Sequence, residues 1–104
     1  MELSSYVVDI AAEARADIDA NFDFMERAYG TKAALDYTIA LTDALDTLED
    51  LPERCPSVGP ELPAMRRLIH HNHVAYFRIE GREVLVLRVL HMSRDHEAEL
   101  DAMR

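Results

Sequence analysis

Four side chains in the second half of this 104-residue sequence could assemble a cationic site with one titratable group: Arg67, Arg78, Arg88 and His91. Arginines in such a site hold negative charge that develops on a reacting oxyanion, and a histidine can take or return a proton near neutrality. A plainer reading stands beside it. Arg78 and Arg88 would pair with helix carboxylates, and His91 would be a strand-end histidine bonded to backbone. The segment His70-His71-Asn72-His73 is the other cluster with chemical potential, since histidines two apart on a strand share a face and His71 and His73 could share a metal. Asn72 reads as a turn residue, however, and no Cys or Asp pattern completes a ligand set. The segment is therefore expected to be a polar turn, and neither metal nor cofactor is expected. Cys55 is the only cysteine, which excludes an intrachain disulfide and fits a reducing cytoplasm. It precedes Pro56 with no evident base nearby, so a nucleophilic role is not expected.

The elements that must position these groups follow from periodicity. Leu3–Asp9 contains Tyr6-Val7-Val8 and reads as a short strand. From Ile10 to Tyr29, apolar Ala11, Ala14, Ile18, Phe22, Met25 and Tyr29 recur at three- and four-residue steps, the stripe of an amphipathic helix. Gly30 supplies a stop and Thr31 a plausible N-cap. Ala34, Tyr37, Thr38, Leu41, Leu45 and Leu48 then form a second stripe, and so short a connection requires antiparallel helices. The stretch Leu51–Pro63 holds all four prolines and reads as a surface loop.

Beyond it the period changes to that of strands: Met65–His70, Val74–Ile79 and Glu83–His91, with Glu80-Gly81 as a tight hairpin turn. In the last strand Leu85, Leu87 and Val89 are expected on one face, with Val84, Val86, Arg88 and Leu90 on the other. Apolar residues on both faces mark an interior strand. Ser93 is expected to cap a short helix, Arg94–Met103. The fold class is α+β, one domain over residues 1–104: an N-terminal strand, then an antiparallel helix hairpin packed on an antiparallel sheet, in the order β-α-α-β-β-β with a short C-terminal helix.

Charge and composition narrow the function. Nearly half the residues are apolar, enough for one compact core, and no apolar run approaches the ~20 residues of a membrane-spanning helix. Met1-Glu2-Leu3-Ser4-Ser5 lacks the basic start of a secretory signal, so a cytoplasmic location is expected. The net charge of −9 is uneven: residues 1–50 carry twelve carboxylates against Arg15, Arg27 and Lys32, whereas eight acids and eight arginines cancel in residues 51–104. All five histidines lie in that second half. The acidic half repels nucleic acid, and no direct sequence-specific nucleic-acid binding is expected, although the second half can present a local arginine surface.

The whole chain resembles the RelE/ParE superfamily of bacterial type II toxin–antitoxin toxins. The resemblance is carried by Tyr76-Phe77-Arg78-Ile79-Glu80-Gly81, then Val86-Leu87-Arg88-Val89-Leu90-His91 and Arg94-Asp95, similar to the pattern "Y-R-hydrophobic-x-G … hydrophobic-R-V-L-H-x-x-R-D". Phe77 stands between Tyr76 and Arg78, as an inserted position. Ala14-Arg15-Ala16-Asp17-Ile18 resembles the "A-x-x-D-L" of the first helix, and Met65-Arg66-Arg67-Leu68 the strand after the proline–glycine loop. The resemblance implies a toxin bound by a cognate, ParD-like antitoxin in a hetero-oligomer.

The two branches differ in chemistry. RelE-like members are ribosome-dependent mRNA endonucleases, rich in lysine and arginine, and attack by a 2′-hydroxyl needs a base, an acid and cations around the phosphorane. For such an activity the candidates here are His91, Arg67, Arg78 and Arg88. This chain has a single lysine, Lys32, and ends in Met103-Arg104 without a terminal Tyr or His cluster. ParE-like members, which it resembles more closely, bind DNA gyrase and trap its cleavage complex. They need a binding surface and no catalytic residues. A third possibility is an attenuated toxin kept as an antitoxin-binding module.

Overall fold

The structure, a computed structural model, describes residues 5–103. The elements run β1 (Val7–Ile10), α1 (Ala12–Tyr29), α2 (Thr31–Asp46), β2 (Arg66–His70), β3 (His73–Glu80), β4 (Glu83–His91) and α3 (His96–Ala102). Short 3₁₀ turns at Thr47–Glu49 and Pro52–Arg54 lead into the proline loop. The helix hairpin and the three-stranded antiparallel meander stand where the sequence places them. The start of the first expected strand, Leu3 and Ser4, lies outside the described residues. None of the described helices is long and apolar enough to cross a membrane.

The sheet order is β1-β4-β3-β2. The meander is antiparallel, but β1 joins it parallel to β4, pairing Val7 with Glu83 and Ile10 with Val86. The sheet is therefore mixed. At four residues β1 covers less than half of β4. The chain leaves the sheet where the Ala11 N–H donates to the Val86 carbonyl at 2.9 Å, and α1 begins directly after it.

Two helix boundaries differ from the sequence reading. Gly30, at φ 96°, both ends α1 and precedes α2, so Thr31 is already helical and its hydroxyl donates instead to Glu26 Oε2 at 3.0 Å. A side chain at that φ would be strained, which suits glycine there. At the other end Ser93 is held by His91, and Asp95 caps α3 by accepting from the Ala98 N–H at 3.2 Å. The hairpin turn also sits one residue later than expected, at Gly81-Arg82, closed by the Glu80–Glu83 pair.

The core fills both faces of the sheet. On one face Ala14 and Ile18 of α1, with Leu41 and Leu45 of α2, pack with Leu48 and Cys55 onto Ala75, Phe77, Val84, Val86 and Val89. On the other, Met65, Val74, Tyr76 and Leu90 lie beneath Val58 and Leu62 of the proline loop and Leu100 and Met103 at the C-terminal end. The expected facing of β4 is corrected here. Tyr76 pairs with Arg88 but Phe77 pairs with Val86, so Leu87 is an extra residue. Such a β-bulge inverts the alternation past it. Val89 accordingly joins Val84 and Val86 on the hairpin side, and Leu87 joins Leu90 on the opposite one.

Phe77 is fully enclosed, whereas Leu87 is half-buried beside the bulge. Phe77→Ala is expected to lower the unfolding free energy by about 3–5 kcal/mol, the usual cost of emptying a core aromatic site. Leu87→Ala should cost less than half as much. Urea unfolding followed by circular dichroism checks both, and equal losses would contradict the bulge.

Candidate functional site

Strand register sets the four candidate residues on β2, β3 and β4. Arg67, Tyr76 and Arg88 form one row across the sheet, Arg78 sits two residues further along β3 opposite Leu85, and His91 ends β4 opposite His73. The row lies on the face away from the helix hairpin, yet Arg88 reaches α1. It can do so because β4 has no neighbour strand beyond the end of β1.

Arg88 is the most tightly held of the four. Its Nε and Nη2 donate to the two oxygens of Asp17 on α1, at 2.8 and 2.9 Å, and its Nη1 donates to Glu99 Oε1 on α3 at 2.7 Å. Asp17 Oδ2 also accepts the Val89 N–H at 2.9 Å, closing the bare edge of β4. The three side chains are mostly buried, at 20 %, 12 % and 20 % exposure for Arg88, Asp17 and Glu99. The Asp17 hydrogen bonds hold the Arg88 guanidinium protonated well above its ordinary range; burial opposes this, and Glu99 adds a smaller contribution in the same direction as Asp17. A bidentate arginine fork of this kind is geometrically specific as well as strong.

The other three are held loosely. Arg78 pairs with Glu80 on its own strand, Nε to Oε2 at 2.5 Å, with both side chains about half exposed. Exposed pairs like this contribute little. Arg67 is exposed and has no carboxylate partner among the described residues. His91 is exposed too, and its Nδ1 accepts the Ser93 N–H at 3.0 Å while lying 2.8 Å from Ser93 Oγ. The helix-carboxylate pairing expected for both arginines thus holds for Arg88 alone.

The rest of the motif "R-V-L-H-x-x-R-D" is accounted for locally. The His91 carbonyl accepts from His96 Nε2 at 2.9 Å, and the Tyr76 hydroxyl meets His96 Nδ1 at 2.6 Å. Arg94 pairs with Glu99, and Asp95 caps α3. Arg88, His91, Arg94 and Asp95 therefore fasten the chain as it leaves the sheet.

The histidine segment forms the β2–β3 turn, with His71 at φ 51° and Asn72 beside it. No group of three His, Cys, Asp or Glu side chains among the described residues is placed to hold a metal. His73 is buried, with Nδ1 2.6 Å from the Tyr37 hydroxyl of α2 and its ring edge-on to His91 at 5.2 Å. Burial, helped by His91 and His70, lowers its pKa from 6.5 to about 4. The sequence signals that His73 is polar but not that it is enclosed, because its cover comes from α2, more than thirty residues away.

These features, a helix hairpin against a sheet ordered β1-β4-β3-β2 with a clamped C-terminal helix, define the RelE/ParE fold, and the sequence comparisons narrow it. Residues 8–96 match the family of ParE toxins of type II toxin–antitoxin (parDE) systems. Toxin ParE1 of Caulobacter vibrioides is 28% identical over 91 residues, spanning 88% of this chain and 94% of that protein. Among solved structures, one of the chromosomal ParDE toxin–antitoxin system of P. aeruginosa superposes with a TM-score of 0.77 at 22% identity, covering 88% of this chain and all of that one. A chain of the RelBE2 toxin–antitoxin complex of Mycobacterium tuberculosis follows at 0.65 and 21%, covering 89% and 98%. The chain belongs to the ParE toxin family, as a toxin of a type II toxin–antitoxin system.

Two predictions follow from this geometry. Arg88→Ala leaves Asp17 and Glu99 facing each other in a poorly hydrated site, and loss of one partner of a largely buried ion pair costs on the order of 3 kcal/mol. Thermal melting should show that loss, with Arg88→Lys only partly restoring stability because an ammonium cannot fork. His73 gives a pH signature. It is neutral in the fold but takes a proton in the unfolded chain below 6.5, so the unfolded state binds more protons between pH 6.5 and about 4. This contribution to stability is complete above pH 6.5 and is lost as pH falls toward 4. Urea midpoints at pH 7.5 and 5 should differ in that sense, and His73→Gln should flatten the difference.

Proposed function

We propose that this toxin inhibits DNA gyrase by direct binding, without catalysis of its own, and is neutralised by a ParD-like antitoxin. The observation that carries the reading is the saturation of Arg88 by Asp17 and Glu99. A phosphorane needs uncommitted cations beside it. Here the central arginine of the candidate set is matched by two carboxylates, and Arg78 is engaged by Glu80. His91 has an exposed ring but no fixed cation within its hydrogen-bonding partners. The net charge of −9 further opposes docking on ribosomal RNA.

The antitoxin half of the proposal is supported by the outer surface of the hairpin. Phe24, Tyr29, Leu35 and Ile39 are exposed there among acidic residues that include Asp19, Asp23, Glu26, Asp36 and Asp43. An amphipathic segment folding onto this surface buries those side chains and is favoured if it carries Lys or Arg at its margins.

One preparation in two assays tests the reading. Purified toxin should block supercoiling by gyrase or raise gyrase-dependent DNA cleavage with no ribosome present, and His91→Ala should retain most of that activity. Site-specific cuts in ribosome-programmed mRNA that vanish in His91→Ala, with gyrase untouched, would overturn it in favour of an endonuclease. A general acid or base is worth about 10²–10⁴-fold in rate, so that loss would be unmistakable. Silence in both assays would mark an attenuated toxin.

A further inference from the structure

A groove of about 440 Å³ runs between α1 and the outgoing end of β4, and its hydrogen-bonding groups are unbalanced. Asn21 Nδ2, on α1, is buried without a partner. His91 accepts the Ser93 N–H at Nδ1, so the neutral ring carries its proton on Nε2 and presents a donor. The Ser93 hydroxyl donates to the same Nδ1 and fixes that tautomer, and the Arg94 guanidinium, which gives one nitrogen to Glu99, completes the donors. His73 also lines the groove, with Nδ1 committed to Tyr37.

The carboxylate in the groove, Asp17, is already filled, both oxygens being taken by Arg88 and one also by the Val89 N–H. Phe24, 56 % exposed, forms an apolar wall. The groove is thus a donor-rich patch beside a ring still open to contact. A buried donor left unpaired is a cost that an acceptor brought by a ligand removes.

The charges around the groove limit what that acceptor is. Asp17, Arg88, Glu99 and Arg94 cancel one another, while Asp19 and Asp23 stand exposed on the same helix. A polyanion is repelled by such a surface, whereas one carboxylate on a peptide meets the donors and little else. We propose that this groove receives a single Asp or Glu side chain of the antitoxin's toxin-binding segment, with an adjoining apolar residue against Phe24. The assignment rests on the reading that an antitoxin covers this toxin. It predicts one acidic anchor within a segment that is otherwise favoured by basic residues over the hairpin.

The test compares antitoxin affinity for folded wild-type toxin and for Asn21→Asp, Arg94→Gln, Ser93→Ala and Glu97→Gln, by competition titration. Asn21→Asp replaces a donor with a carboxylate, and it and Arg94→Gln should each weaken binding about tenfold or more, as expected for a charge-assisted contact in a partly buried site. Ser93→Ala should weaken it less. Glu97→Gln removes an exposed carboxylate of α3 that does not line the groove, so its affinity should stay within about threefold of wild type. Each acidic residue of the antitoxin segment is then neutralised in turn. One of these changes should weaken binding to wild type yet have little further effect on Arg94→Gln.

The outcomes separate cleanly. Failure of wild-type toxin to bind the antitoxin overturns the underlying reading. Tight wild-type binding that is indifferent to Asn21→Asp and Arg94→Gln overturns the groove assignment alone. An equal loss in Glu97→Gln would make the effect of Arg94 one of charge on α3 and not of the groove, and loss of gyrase inhibition with antitoxin affinity intact would give the groove to the target; either result overturns the proposal. Should Asn21→Asp not fold, Arg94→Gln and Ser93→Ala on the exposed rim decide the matter.

Discussion

The structure depends on the clamp that Arg88 makes with Asp17 and Glu99. β1 is too short to cover β4, and the uncovered part of β4 would otherwise expose backbone groups at a sheet edge. Such edges are liabilities that proteins close with helices, loops or charges. Here a helix carboxylate accepts the Val89 N–H and at the same time holds the neighbouring arginine, which in turn holds the C-terminal helix. One residue triplet joins the layer above the sheet, the sheet and the layer below it. The same arrangement commits the Arg88 side chain to two carboxylates, so its role in this fold is the joining of these layers.

Much of the fold was legible because its signals are local. Helix stripes, Gly30, the run of four prolines and the strand character of β3 and β4 are each decided within a few residues, and the bounds read for Glu83–His91 coincide with those observed. What was not legible depends on distant partners. The parallel pairing of β1 with β4 joins residues more than seventy positions apart, and nothing in Val7–Ile10 specifies it. The bulge at Leu87 has the same character: the strand reads as uninterrupted, and only its partner Tyr76-Phe77 reveals the extra residue. Sequence reasoning placed Asp17 among helix carboxylates and Arg88 among arginines seeking one, but it could not pair the two. Asn21 and the enclosure of His73 gave no signal, since a polar residue on a helix or strand reads as solvated until its cover is known.

The motif that carried the family resemblance turns out to describe an exit from the sheet. Arg88 anchors two helices, His91 holds the turn, Arg94 grips Glu99 and Asp95 starts α3. In this chain those residues fasten the C-terminal helix beneath Tyr76 and Leu90. Residue types alone do not reveal that role. Partners do: a cation with two carboxylates is spent, and a histidine accepting a backbone N–H has one nitrogen left for anything else.

The pairing of the first strand with the last also governs the order in which the molecule comes together. During synthesis the hairpin of α1 and α2 emerges complete while the sheet it needs is still unmade, so its apolar stripe waits for β3 and β4. Domains acquire structure as they leave the ribosome, and partly built ones show apolar surface meanwhile. Contacts between remote segments also slow the final step, since the loop must close before they are rewarded. This chain therefore has a late-closing seam: until the residues around Val86 are available, β1 has no neighbour and the clamp on Asp17 has no arginine. The surface that β1, β4 and Asp17 build together is complete only once the residues around Arg88 have been made.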